Sequence, residues 1–239
     1  MKRPAMKSFP TLCAAFAVAL AATGSFAADP QETRNVSGFT HVALHAPVNV
    51  DVVQADSEGL VLEGDPEYIA RIETVVEDGT LKIRYASRDR VWNMAKIRAH
   101  VRMKAIEGLA IAGSGDISTP SVRAKDLRVS ISGSGDVRIG TLAADQLSVS
   151  ISGSGDLSVA GKADRTETSI AGSGDLKAAK LESREARISI AGSGDAILWA
   201  HDLVTVSIVG AGDVRYYGDP AVKKSVMGSG SVKRLAANP

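Results

Sequence analysis

Six aspartates recur along the second half of the sequence, at Asp116, Asp136, Asp156, Asp175, Asp195 and Asp213, and Ser231 takes the next position. The steps between them are 20, 20, 19, 20, 18 and 18 residues. The first five close a Gly-Ser-Gly-Asp motif, at 113–116, 133–136, 153–156, 172–175 and 192–195. Gly210-Ala211-Gly212-Asp213 and Gly228-Ser229-Gly230-Ser231 continue the series in degraded form. Carboxylates at a regular pitch can hold divalent cations, perform acid–base chemistry or accept backbone N–H groups in turns. Calcium takes six to eight oxygens, and one Asp per repeat flanked by Ser is a thin supply. A catalytic carboxylate is usually singular, whereas a residue repeated this often serves the repeat. The reading adopted is a structural turn ladder, each Asp accepting N–H bonds within its own turn. Stacked carboxylates repel by roughly 1 kcal/mol per pair even in water. Arg138, Lys177, Arg215 and Lys233, each two residues beyond a ladder position, would offset part of that.

Two further series share the period. Asp126, Asp145, Asp164, Glu185 and Asp202 fall at the other turn of each repeat and take the same turn-capping explanation. Ser130, Ser150, Ser169, Ser189 and Ser207 make an outward ladder of small residues.

A binding surface is better sought outside the repeats. Between Lys82 and Lys104 there are eight basic residues and one acid, Asp89. Lys82 and Arg84 alternate outward on one expected strand; Arg98, His100, Arg102 and Lys104 do so on another. Arg88, Arg90, Trp92 and Lys96 belong to the connection. If the two strands pair, they form a basic face suited to acidic polysaccharide, lipopolysaccharide phosphates or a membrane surface. The competing reading is a solvated face balanced by Glu73 and Glu77 on a neighbouring strand.

Signals for enzymatic chemistry are poor. His41, His45, His100 and His201 show no helix-type metal-ligand spacing, so no metal or other cofactor is expected. No nucleophile elbow or phosphate-binding loop appears. A polysaccharide-degrading enzyme is the competing class. It would need aromatic platforms, for which Trp92, Trp199 and Tyr216-Tyr217 are the candidates.

Strands must position these residues. Leu127, Val129 and Ile131 alternate with Arg128, Ser130 and Ser132, and the next repeats read Leu147, Val149, Ile151 and Thr166, Thr168, Ile170. Such alternation marks β-strands. About 20 residues is too short for a strand–helix–strand unit of roughly 30. It fits one coil of a parallel β-helix, with equivalent residues stacked ~4.8 Å apart. The expected fold is all-β: a β-solenoid of about seven coils, with the missing hexapeptide pattern favouring the right-handed form. Ile111, Ile131, Ile151, Ile170, Ile190 and Ile208 form one inward column. Stacked aliphatics explain why only 4% of residues are aromatic. Residues 28–106 are β-rich but irregular, and serve as a cap or as the first coils. Phe39–Ala46, Val48–Gln54 and Ile97–Met103 read as strands there, and Asp78-Gly79 as a hairpin turn. The repeat section spans 107–235 and a short tail 236–239.

Residues 1–27 read as a secretory signal peptide. Lys2, Arg3 and Lys7 precede an apolar run, and Ser25-Phe26-Ala27 places cleavage after Ala27. Removing it leaves 25 basic and 27 acidic residues, and takes away Cys13, the one cysteine. No disulfide can then form within the mature chain.

The arrangement resembles the head GIN domain family of auto-transporter adhesins. The resemblance covers residues 36–232 and rests on Val36-Ser37-Gly38-Phe39, on Val75 to Ile83 with its Asp-Gly-Thr-Leu, and on the Gly-Ser-Gly-Asp series. It implies a right-handed β-helix at or outside the bacterial envelope, and it brings no catalytic residues. The function expected is therefore non-enzymatic: adhesion, binding or scaffolding by a rigid exported rod. A periplasmic structural protein that binds envelope polyanions is the other alternative. Expected partners are anionic polysaccharide, lipopolysaccharide or another surface protein, with a homo-oligomer possible. Nucleic acid and a membrane-spanning segment in the mature chain are not expected.

Overall fold

The structure, a computed structural model, describes residues 30–86 and 97–236. The expected signal peptide and the 87–96 connection lie outside the described residues. The strands in chain order are β1 (Gln31–Arg34), β2 (His41–Leu44), β3 (Asn49–Gln54) and β4 (Gly59–Glu63), then helix α1 (Pro66–Ile69). After it come β5 (Ile72–Glu77), β6 (Thr80–Tyr85), β7 (Arg98–Met103) and β8 (Gly108–Gly113). The repeats follow as β9 (Ile117–Gly133), β10 (Val137–Gly153), β11 (Leu157–Gly172), β12 (Leu176–Gly192) and β13 (Ala196–Gly210). β14 (Asp213–Tyr217), β15 (Ala221–Gly228) and β16 (Ser231–Arg234) complete the chain.

This is a β-solenoid of stacked parallel coils, about 6 turns. Seven motif positions bound six complete circuits of the chain. Equivalent residues sit in register: Ile111, Ile131, Ile151, Ile170, Ile190 and Ile208 form one inward column. All six are buried. Burying an aliphatic side chain contributes about 1.5–3 kcal/mol, and here the gain recurs in every coil.

The N-terminal section extends the same columns. β2 lies parallel to β8 on one side and to β6 on the other, so Leu44 and Ile83 lengthen the isoleucine column. β3 lies parallel to β9 and β7 in the same way. The first section thus supplies both the initial coils and the cap. β4 runs antiparallel to β7, β1 to β4 and β5 to β6. β5 and β6 meet at Asp78 (φ 49°) and Gly79 (φ 72°), a two-residue hairpin turn with both central residues left-handed.

The paired glycines are a steric requirement of the corner. At Gly153 φ is 129°, and a Cβ there would run into the carbonyl of Gly133 one coil back. A Cβ on Gly155 would meet the carbonyl of Gly135 and the side chain of Ile131. The intervening Ser154 is exposed. One coil is less apolar inside than its neighbours. Thr166 and Ser183 share a buried hydrogen bond of 2.9 Å. The Thr168 hydroxyl, in a column with Val149 and Ile188, has no partner among the described residues.

Gly153→Ala should lose about 2–4 kcal/mol in denaturant unfolding, from backbone strain and overpacking together. Ser154→Ala should change stability by less than about 0.5 kcal/mol. Thr168→Val removes a buried, unpaired hydroxyl and should gain about 1 kcal/mol; equal or lower stability would mean that the hydroxyl has a partner.

Candidate functional site

The Asp ladder differs from the sequence expectation in one respect. Each carboxylate accepts an N–H from the following coil, where its own turn was expected to supply it. Asp116 Oδ1 accepts from Asp136 N at 2.9 Å, Asp136 from Asp156 at 3.0 Å and Asp156 from Asp175 at 2.9 Å. Asp175, Asp195 and Asp213 continue to Asp195, Asp213 and Ser231. The cause lies in the corner. The Gly113 carbonyl already accepts from both Ser134 and Gly135. The Asp136 carbonyl serves Ile117 of the coil before it. The next N–H therefore turns to a side chain, which stitches coil to coil. The other carboxylate oxygen meets the basic residues: Arg138 with Asp136 at 2.8 Å, Lys177 with Asp156 at 2.6 Å and Arg215 with Asp195 at 3.6 Å. The Asp156 hydrogen bond raises the Lys177 pKa above the usual lysine range. With its carboxylates so engaged, the ladder is a poor cation site, and no metal-holding cluster occurs among the described residues.

The second acidic series does not stack as one column. Registers place Asp145 and Asp164 in line with Lys125 and Arg184, while Asp126 falls in line with Gln146, Arg165 and Glu185. Arg165 reaches Glu185 at 3.5 Å, and Arg184 reaches Asp202 at 3.2 Å. All of these but Asp202 line a recess of mixed sign.

The basic strands are also arranged differently. β6, with Lys82 and Arg84, does not pair with β7, which carries Arg98, His100 and Arg102. In a solenoid, strands that follow one another occupy successive faces, and each pairs with the coil above or below. Lys82 meets Glu77 at 2.6 Å, and Arg84 meets Glu73 at 3.1 Å. Hydrogen bonds from Lys82 and Arg84 hold the Glu77 and Glu73 carboxyls below their ordinary range. On β7, Arg98 and His100 approach Asp51 at 3.7 and 3.6 Å, and His100 also meets Glu63 at 3.1 Å. Lys104 is 4.0 Å from Glu58, and Arg102 has no ion pair among the described residues.

Stacking assembles a different basic corner. The Gln54 side-chain amide donates to the carbonyls of both Lys104 and Arg123. The Arg123 N–H returns a bond to Gln54 Oε1 at 2.8 Å. The backbone of Lys104 at the end coil is thereby tied to that of Arg123, which stands near Lys125 and Arg128 in the first repeat. The last three line a surface cleft together with His41, Glu107 and Asp126. Sequence reasoning missed these residues because Lys104 and Arg123 belong to different sections of the chain. A signal was present: the next repeat has Ala143, Asp145 and Ser148 at the equivalent positions.

Asp156→Ala should cost about 1–3 kcal/mol, because the Asp175 N–H is left unpaired at a tight corner. Asp156→Asn keeps an acceptor and should recover much of that in the same unfolding assay. Acid should weaken the last step of the ladder, from Asp213 to Ser231. The Asp213 carboxyl is held below its usual value first by the Ser231 hydroxyl, then by the Ser231 N–H and by Lys233 and Arg215, against a desolvation that raises it. A depressed folded pKa adds stability above the unfolded value, about 4, and loses it as pH falls through the folded value. NMR titration should therefore show the Asp213 carboxyl moving upward in Ser231→Ala.

A putative adhesin from Bacteroides fragilis superposes with a TM-score of 0.80 at 22% identity, over 86% of this chain and 96% of that one. A putative lipid binding protein from Parabacteroides distasonis gives 0.72 at 26%, over 88% and 98%. A putative adhesin from Parabacteroides merdae gives 0.70 at 19%, over 88% and 98%. No curated protein matches the chain. Residues 38–220 match the family described as "Putative auto-transporter adhesin, head GIN domain", and the chain belongs to that family.

Proposed function

We propose that this protein is an exported, non-enzymatic binding module of the cell envelope, a rigid rod that engages anionic groups of envelope or surface polymers through its basic corner. The observation that carries this reading is the Gln54 bridge that joins Lys104 to Arg123 from two sections of the chain, beside a cleft lined by Arg123, Lys125 and Arg128. Phosphates or uronic carboxylates suit such a surface, because clustered cations raise the local potential. The adhesin names of the family and its structural neighbours support a surface binding role. The neighbour named a putative lipid binding protein supports the phosphate-bearing alternative. No helix among the described residues is long and apolar enough to cross a membrane, and export rests on the signal peptide read at residues 1–27.

The mature N-terminus found by mass spectrometry should be Ala28. Intact protein should be retained on an anionic polysaccharide or lipopolysaccharide column and elute with salt, as screened surface charge requires. Lys104→Gln, Arg123→Gln and Lys125→Gln together should lower the eluting salt markedly, and Lys82→Gln should not. Equal retention of the triple variant would refute the corner as the binding surface. Release of reducing or unsaturated ends from the polysaccharide would refute the non-enzymatic reading.

A further inference from the structure

The two ends of the solenoid are finished differently. At the N-terminal end, β4 and β5 lie antiparallel against β7 and β6, and the end coil is covered. At the other end, β15 pairs with β13 alone and β16 with β14 alone among the described residues. Every residue of β15 is exposed. Alternate residues of a parallel strand direct their N–H and C=O to opposite neighbours, so about half of the β15 backbone groups face outward unpaired. Val222 and Val226 continue the inward columns of Val204 and Ile208, yet they are each 37% exposed where the latter are buried. Met227 beside them is 68% exposed.

Lys224 decides what can cover this edge. It stands in register with Val206, at the end of the inward column of Val129, Val149, Thr168 and Ile188. A charge at that position opposes stacking of a further apolar coil. Lys223 precedes it, and neither lysine has an ion-pair partner among the described residues; Arg234 is held by Asp219 at 2.8 Å. A second copy of this end would set these cations against their own kind. The N-terminal end of another copy presents the β1 and β5 edges, each paired on one side only among the described residues, so self-association is an outcome the test must read.

We propose that the β15 edge is a docking site for an extended acidic segment of a partner protein, which adds as a strand and places a carboxylate against Lys224, with apolar residues over Val222 and Val226. Backbone bonds to the edge supply affinity, and the alternate side chains supply selectivity. The lysine at the inward position gives both halves of that selectivity: it rejects an all-apolar strand and rewards an acid in one register. This surface is at the opposite end of the rod from the basic corner and is independent of it.

The test uses the mature protein and two short labelled peptides, Val-Thr-Glu-Thr-Val and Val-Thr-Lys-Thr-Val, read by fluorescence anisotropy. The Glu peptide should bind saturably and at least ~10-fold more tightly than the Lys peptide, a difference of about 1.4 kcal/mol. Lys224→Glu should reverse that preference. Since β15 is exposed throughout, the variant should keep the far-UV spectrum of the parent, and hydrogen exchange of β15 amides should slow when the Glu peptide is bound. Absence of saturable binding, equal binding of the two peptides, or an unchanged preference in Lys224→Glu overturns the proposal. Concentration-dependent dimerisation in sedimentation velocity, lost in Met227→Glu, also overturns it and makes a second copy the occupant.

Discussion

Close approach of one coil's backbone to the next, at a corner with no room for a Cβ, is the constraint on which the rest of this protein depends. Gly133 and Gly135 and their equivalents in the later coils meet the carbonyls of the preceding coil so closely that a methyl group would collide. That proximity makes the corner sharp and brings the strands on either side into register. It also disturbs the regular ladder and leaves one N–H per coil in need of an acceptor. The aspartate supplies it from the coil before. Gly-x-Gly-Asp is therefore one device with two parts, a steric clearance and a hydrogen-bond repair. Its repetition keeps the aliphatic columns aligned over the whole rod.

A structure built this way has a uniform middle and two special ends. In the middle, the glycine corner and the aspartate bond recur from coil to coil, and Arg138, Lys177 and Arg215 offset part of the acidic line. Function then depends on departures from the repeat. The first repeat departs by carrying Arg123, Lys125 and Arg128 where the next has Ala143, Asp145 and Ser148. The last coil departs by carrying Lys224 where earlier coils place Val206 and Ile188. In both places the departure converts a structural position into a charged one. The two departures lie at opposite ends of the rod, so the anionic contact and the strand docking proposed above would not compete.

Much of the fold was legible because a repeat states its own geometry. Alternation marked the strands, the 20-residue step excluded helical units, and Ile111 through Ile208 could be read as one column. The hairpin at Asp78-Gly79 was legible for a local reason, since those two residues accept left-handed backbone. Less of the candidate site could be read. Lys82 and Arg84 looked like companions of Arg98 and Arg102 because they are near in sequence. Their acidic neighbours Glu73 and Glu77 are nearer in space, because β5 and β6 form a hairpin while β7 belongs to another face.

The sequence by itself determined the coil: its length, its inward and outward faces, the glycines at its corner and the acid that follows them. Each of these depends on interactions that recur at a fixed offset, so local pattern carries them. The tertiary structure decided the order of stacking. β2 and β3 slot between β6–β7 and β8–β9, which puts Leu44 between Ile83 and Ile111 and brings Arg123 beside Lys104. It also decided that each Asp bonds across coils, and that β15 is left as an edge. These outcomes depend on which apolar faces cover one another most completely across the whole chain, a competition between distant segments that no local spacing records.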